Sequence, residues 1–224
     1  MTESVRLQVD GKLHLKDPTS TELGQSIVEQ AILMLDEMGY EAFTFRKLAD
    51  RVGTTEPSVY RYFRNKQRLL LYLTAWYWSW MEYRVLLATV NVVPPEQRLR
   101  LALAELTRPI VADDTLPRID EAALYRVVVA DSSKAYLHRD VDVENREGLF
   151  LSFKRLCRTV ADLVSAVNPA YAYPLALVST VMESSHMQKY FAEHLPRLTE
   201  VKHAQADAST TQFLTELVFK TIAP

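Results

Sequence analysis

The stretch TTEPSVYRYFRNKQRLL, residues 54–70, gathers Arg61, Arg64, Lys66 and Arg68 around Tyr60, Tyr62 and Phe63. Side chains of these types hold anions: guanidinium and ammonium groups pair with phosphate, and tyrosine hydroxyls reach phosphate oxygens. Wound as a helix from a Thr55 cap, with Pro57 in the first turn where a missing N–H costs little, the segment turns Val59 and Phe63 inward together. Glu56, Pro57, Ser58 and Arg61 then lie near the helix start or along one side, placed for base edges in a major groove about 12 Å wide. Tyr60 and Tyr62 suit phosphate. Lys66 opens the following helix, where free N–H groups also favour an anion.

The charge is segregated in the same way. Residues 41–70 carry seven basic side chains against Glu41, Asp50 and Glu56, a local +4 on a chain of formal charge -2, so the remainder carries -6. A basic face on an otherwise acidic protein points to an anionic partner at that face.

The elements that must position these residues follow from apolar spacing and punctuation. Thr19 and Glu22 form a capping-box pattern ahead of Ile27, Ala31, Met34, Leu35 and Met38, with Gly39 after them, which predicts a first helix. Thr44 caps a second helix carrying Leu48, Ala49 and Val52 and closed by Gly53; Thr55 begins the third. Further helices are predicted from Lys66 to about Thr89, and over 95–108, 118–132, 144–167, 172–193 and 209–222. The expected fold class is therefore all-α: an N-terminal three-helix helix-turn-helix domain over 19–66 and a larger C-terminal helical domain over 67–224. Residues 1–18 read as a polar arm, a disordered tail whose Arg6, Lys12 and Lys16 have an adjacent minor groove as their alternative use.

Composition supports this reading. Gly is scarce, five residues in 224, which favours long helices over a turn-rich sheet protein. The single Cys157 excludes an internal disulfide. The N-terminus has no basic-then-apolar signal pattern, and the uncharged run Leu69 to Met81 falls short of the roughly 18 to 20 residues that span a bilayer. No membrane association and a cytoplasmic location are expected.

The segment TFRKLADRVGTTEPSVYRYFRNKQRLL, residues 44–70, resembles the helix-turn-helix of the TetR (tetracycline repressor) family of bacterial transcriptional regulators. The residues that carry the resemblance are Thr44, Leu48-Ala49, Gly53, Thr55, Tyr60 to Phe63 and Lys66, with AILMLDEMGYEAFT before them matching the family's first helix. It implies a homodimer on a pseudo-palindromic double-stranded DNA operator, a small-molecule effector held in the C-terminal domain, and no enzymatic activity. By position, Thr44, Tyr60, Tyr62 and Lys66 would contact phosphate. Arg46, Thr55, Glu56, Pro57, Ser58 and Arg61 would face bases or their surroundings, Arg46 suiting a guanine edge and Glu56 a cytosine amino group. Dimerisation would run through the last two long helices, where Phe213, Leu214, Leu217, Val218 and Ile222 form a broad apolar face that in a monomer would cover the core.

Outside the segment that carries the resemblance the side chains speak for themselves. Trp76 and Trp80, four apart, with Tyr72, Met81 and Tyr83 around them, form an aromatic stripe that can wall an apolar effector pocket or simply pack. Tyr125, Phe153, Cys157, Met182, His186 and Tyr190 are further candidates for that pocket. Glu183, His186, Glu193 and His194 match no strong zinc spacing, and no base stands beside Cys157 in sequence, so neither a metal, a cofactor nor a thiol nucleophile is expected. The competing reading is a helical ligand-binding or scaffolding protein that does not use DNA.

Overall fold

The computed structural model of the chain describes residues 9–108, 110, 118–202 and 205–223, and Arg6 lies outside them. Among the described residues every regular element is helical. In chain order the α-helices are α1 Glu22–Ala42, α2 Phe45–Val52, α3 Glu56–Tyr60, α4 Lys66–Thr89 and α5 Pro95–Thr107. They continue with α6 Glu121–Tyr136, α7 Val141–Glu147, α8 Leu151–Val167, α9 Pro174–His194 and α10 Ala206–Thr221. The chain forms two compact units: one drawn from Met1–Ser79 and Ile110–Phe153, the other from Trp80–Pro109 and Lys154–Pro224. The first unit thus holds α1–α3 together with α6, α7 and the opening turns of α4.

Local chemistry explains where the helices begin and end. Thr21, not Thr19, caps α1: its hydroxyl accepts from the Gly24 N–H at 3.1 Å. Thr19 lies inside a short 3-10 turn, Pro18–Ser20, whose own cap is the Asp17 carboxylate, 2.8 Å from the Thr19 N–H. Gly39, at φ 74° and ψ 165°, bends α1 before its last residues, in backbone space essentially reserved for glycine. Gly148, at φ 88°, separates α7 from α8, where the sequence pattern reads as one continuous helix over 144–167. The predicted helices over 66–89, 95–108, 118–132, 172–193 and 209–222 are present as α4, α5, α6, α9 and α10.

Residues 9–18 are packed rather than a loose tail. Leu13 is buried in a 3-10 turn, Gly11–Leu13, and Pro18 is buried as well. In the second unit Leu99, Leu103, Val160, Val164, Val178, Val181, Leu214 and Val218 form the core. The apolar face expected on α10 is largely this core: Leu214, Val218 and Ile222 are buried within the subunit, while Phe213 remains exposed. Two charged pairs also sit there. Arg84 donates to Glu105 at 3.0 Å, and Lys189 lies 2.6 Å from Asp207.

Candidate nucleic-acid interface

The first unit builds a helix-turn-helix from α2 and α3. Thr44 starts α2, its hydroxyl 3.3 Å from the Lys47 N–H. Gly53 ends it in the left-handed region, φ 75° and ψ 36°, where its N–H turns back to the Ala49 and Asp50 carbonyls. A side chain there would carry strain, which is why glycine marks the turn. Thr55 stands at the start of α3 but does not cap it through its side chain; its hydroxyl lies 2.9 Å from that of Ser58, and its carbonyl accepts the Ser58 N–H. Leu48, Val59 and Phe63 are fully buried, and Phe63 meets Tyr72 edge-on at 5.2 Å. Burying these side chains is worth about 1.5 to 3 kcal/mol each, enough to fix the angle between two such short helices.

What that packing leaves outside is the candidate reading surface. Thr44, Arg46, Thr55, Pro57 and Arg61 are exposed; Glu56 and Ser58 are half-buried. Tyr60 meets the Phe45 ring edge-on, centroids 5.0 Å apart, and is still 46% exposed. Glu56 is the first residue of α3, where a carboxylate complements the helix dipole, so its presence has a reason independent of bases.

The basic residues divide by their neighbours. Arg51 is committed to the fold: it forks onto Glu37 at 2.6 and 2.8 Å and donates to Gln30 at 3.0 Å, joining α2 to α1. That guanidinium hydrogen bond holds the Glu37 carboxyl below its ordinary range. Arg68 binds Glu147 at 2.9 Å. Lys66 donates to the Tyr40 carbonyl at 3.0 Å with its ammonium 4.3 Å above the Tyr40 ring. Arg46, Arg61 and Arg64 are exposed and make no ion pair among the described residues.

Tyr62 departs from its expected place. It is 3% exposed, and its hydroxyl lies 2.7 Å from the Thr21 hydroxyl, because the backbone turn after α3 points the ring inward beside Phe63. Its demonstrable role is to tie the start of α1 to the end of α3.

Helix α6 holds the other end of α1. Arg126 forks onto Asp36 at 2.8 and 2.6 Å, and Lys134 reaches Asp131 at 2.7 Å and Glu41 at 3.4 Å. These pairs flank a cleft of about 340 Å³ that includes Leu35, Tyr40 and Val127 in its walls. Gln67, at the start of α4, donates to the Lys134 carbonyl and accepts from the Tyr40 hydroxyl. Sequence reading finds none of these links, since each joins residues distant in the chain.

The candidate effector residues fall into two sets. Trp76, Tyr125 and Phe153 belong to the first unit; Trp80, Tyr83, Cys157, Met182, His186 and Tyr190 belong to the second. In the first unit Phe153 packs on Trp78 at 4.9 Å and stacks with Tyr136 at 6.0 Å, and Tyr125 lies 6.3 Å from Tyr77. The cavity bordered by Phe153, Trp78 and Thr74 measures about 10 Å³. In the second unit the Cys157 and Met182 sulfurs come within 3.6 Å. Burial pushes the Cys157 thiol up to about 11, so it is protonated near neutral pH and unsuited to nucleophilic attack. His186 is buried, whereas Tyr190 is 46% exposed beside His194, ring centroids 4.5 Å apart.

Known proteins place this arrangement. The family model for bacterial regulatory proteins of the tetR family matches residues 27–73. The chain is 42% identical over 45 residues to the tetracycline repressor protein class A from transposon 1721 of Escherichia coli, covering 20% of this chain and 21% of that protein. It is 27% identical over 131 residues to the transcriptional repressor KstR of Mycobacterium tuberculosis (strain ATCC 25618 / H37Rv), 58% of each chain. The matches thus span about a fifth of the one relative's length and under three fifths of the other's. Among solved structures, that of AibR in complex with isovaleryl coenzyme A and operator DNA shares the fold, with a TM-score of 0.60 at 14% identity over 91% of this chain and 100% of that one. The tetR-family model thus matches the segment that runs from α1 into α4, whose helices fold around the glycine turn, and the solved structures share the fold.

Proposed function

We propose that the protein is a cytoplasmic, homodimeric transcriptional repressor that binds a pseudo-palindromic DNA operator and is controlled by a small apolar or aromatic effector. The observation that carries the reading is the α2–Gly53–α3 unit: buried Val59 and Phe63 leave Arg46, Tyr60 and Arg61 outward on a locally basic surface. In this reading Arg46, Thr55, Glu56, Pro57, Ser58 and Arg61 meet base edges or their surroundings, while Thr44, Tyr60 and Lys66 contact phosphate. Tyr62 supports that contact from behind. Among the described residues no helix is long and apolar enough to cross a membrane.

Dimerisation is supported by exposed apolar side chains on the last two helices, Met187 and Tyr190 on α9 and Phe213 on α10. Sedimentation equilibrium should give twice the chain mass; a monomer at micromolar concentration would remove this part of the proposal. The effector reading rests on the aromatic and sulfur-bearing residues named above. Ligand binding would act by population shift, favouring a spacing of the two reading heads that no longer matches the operator.

Two substitutions separate the proposed roles. Arg46→Ala should cost roughly 1 to 3 kcal/mol on the preferred duplex and relax the preference at one base position. Lys66→Ala should weaken binding to all sequences alike and lower the salt slope by about one. Fluorescence anisotropy on specific and random duplexes, at several salt concentrations, measures both. Equal losses on the two duplexes for Arg46→Ala would remove it from base reading.

A further inference from the structure

The segment ahead of α1 touches the reading helix more directly than a tail would. The Leu15 N–H donates to the Tyr62 carbonyl at 2.7 Å, just where the chain leaves α3 for α4. The Lys16 ammonium sits 5.3 Å above the Tyr62 ring, and Thr21 meets the Tyr62 hydroxyl. At its other end Lys12 donates to the Glu147 carbonyl at 3.1 Å, and Glu147 also holds Arg68 of α4. Leu13 is buried between these anchors and the His14 ring packs edge-on against Tyr72 at 5.9 Å.

Gly24 gives independent support. Helix rules give no reason for glycine inside the first turn of α1, where it weakens the helix. The Pro18 backbone supplies one. A methyl group on Gly24 would stand 2.7 Å from Pro18 Cα and closer still to its carbonyl oxygen, a contact no flexible side chain can relieve. The glycine admits the incoming segment.

We propose that residues 9–20 form a strap that positions the reading helix for operator recognition, with the Leu15 amide as its essential anchor on Tyr62. This rests on the DNA-binding reading above. The strap makes no base contact; it fixes the exit of α3 from behind, and so sets the angle at which Tyr60 and Arg61 are presented. Its second anchor on Glu147 makes α7 a partner in that alignment.

The test uses the full chain and a duplex that the wild-type protein recovers from a random-sequence pool. Leu15→Pro removes the amide donor: the Leu15 side chain is 59% exposed, and His14, at φ -134° and ψ 159°, already has the backbone that precedes proline. Leu15→Ala keeps the donor. Gly24→Ala expels the strap by contact with Pro18 while favouring helix in α1. Losing one such hydrogen bond should weaken binding to the recovered duplex about fivefold in Leu15→Pro. Gly24→Ala should lose at least as much. Leu15→Ala should match wild type, and in Leu15→Pro and Gly24→Ala binding to random duplex should fall less than binding to the recovered duplex, whereas a merely unstable protein would lose both alike. In wild-type protein the Leu15 amide should exchange with solvent deuterium far more slowly than an unstructured amide, a measurement independent of how the variants fold. Wild-type affinity for the recovered duplex in both Leu15→Pro and Gly24→Ala, or free exchange at Leu15, overturns the strap. Recovery of no duplex at all instead defeats the DNA-binding reading, and the exchange rate then decides the strap alone.

Discussion

Phe63→Ala is expected to destabilise the first unit by about 3 to 5 kcal/mol and, on the proposed DNA-binding reading, to abolish that binding at physiological temperature. Phe63 is fully buried, as are Val59 and Leu48, and packs edge-on against Tyr72. α3 has only five residues, too few to hold a helix by backbone hydrogen bonds alone. Its position therefore depends on the side chains beneath it. Removing the ring leaves a cavity that two short helices cannot close without changing their angle. Phe63→Leu, which retains most of the volume, should lose much less. Urea unfolding followed by circular dichroism measures the difference; a loss under 1 kcal/mol for Phe63→Ala would show that the reading helix is held by something else.

Acidification should cost the protein about 3 kcal/mol through His186 alone. The side chain is buried in α9, and burial, reinforced by the Lys189 ammonium, lowers its pKa to about 4. An unfolded imidazole takes its proton near 6.5. Between those values the unfolded chain binds the extra proton and the folded one does not. The stabilisation is complete above about pH 6.5, declines as pH falls towards 4, and declines no further below it. His186→Phe should flatten the stability profile across that window, while carboxylate losses at lower pH persist in both proteins. Denaturant unfolding at pH 7, 5.5 and 4.5 checks this, and parallel profiles for wild type and variant would show that His186 titrates normally.

Much of the reading head was legible because its signals are local. Thr44 and Gly53 bracket α2, and the four-residue spacing of Val59 and Phe63 identifies the buried side of α3. Glycine also marked the bend at residue 39, although the helix continues for three residues beyond it. Gly148 does not read as a break in sequence because the residues on both sides keep a helical pattern.

The site was legible only in part, for a physical reason. Exposure can be inferred from helical spacing, but whether an exposed type is occupied depends on partners far along the chain. Arg51 and Arg68 belong to the basic cluster in sequence, yet Glu37 and Glu147 hold them in the fold. By residue type Tyr62 suits phosphate, whereas the turn after α3 sets it against Thr21. The α10 face illustrates the same limit, since an apolar stripe does not state whether its cover is the same subunit or a second copy. Residues 9–18 alternate only weakly in sequence; what orders them is the backbone of Tyr62, the Glu147 carbonyl and the gap left by Gly24.

The central claim is sequence-specific recognition of duplex DNA by α3 and its surroundings. Selection of wild-type protein against a random duplex pool, followed by sequencing and a salt titration on the recovered sites, tests it most directly. The account predicts enrichment of a two-fold-related site whose half-sites lie about 34 to 36 Å apart or a multiple of that, with affinity that falls steeply as salt rises. A pool that emerges with its input composition, from protein that is folded by circular dichroism, would contradict it.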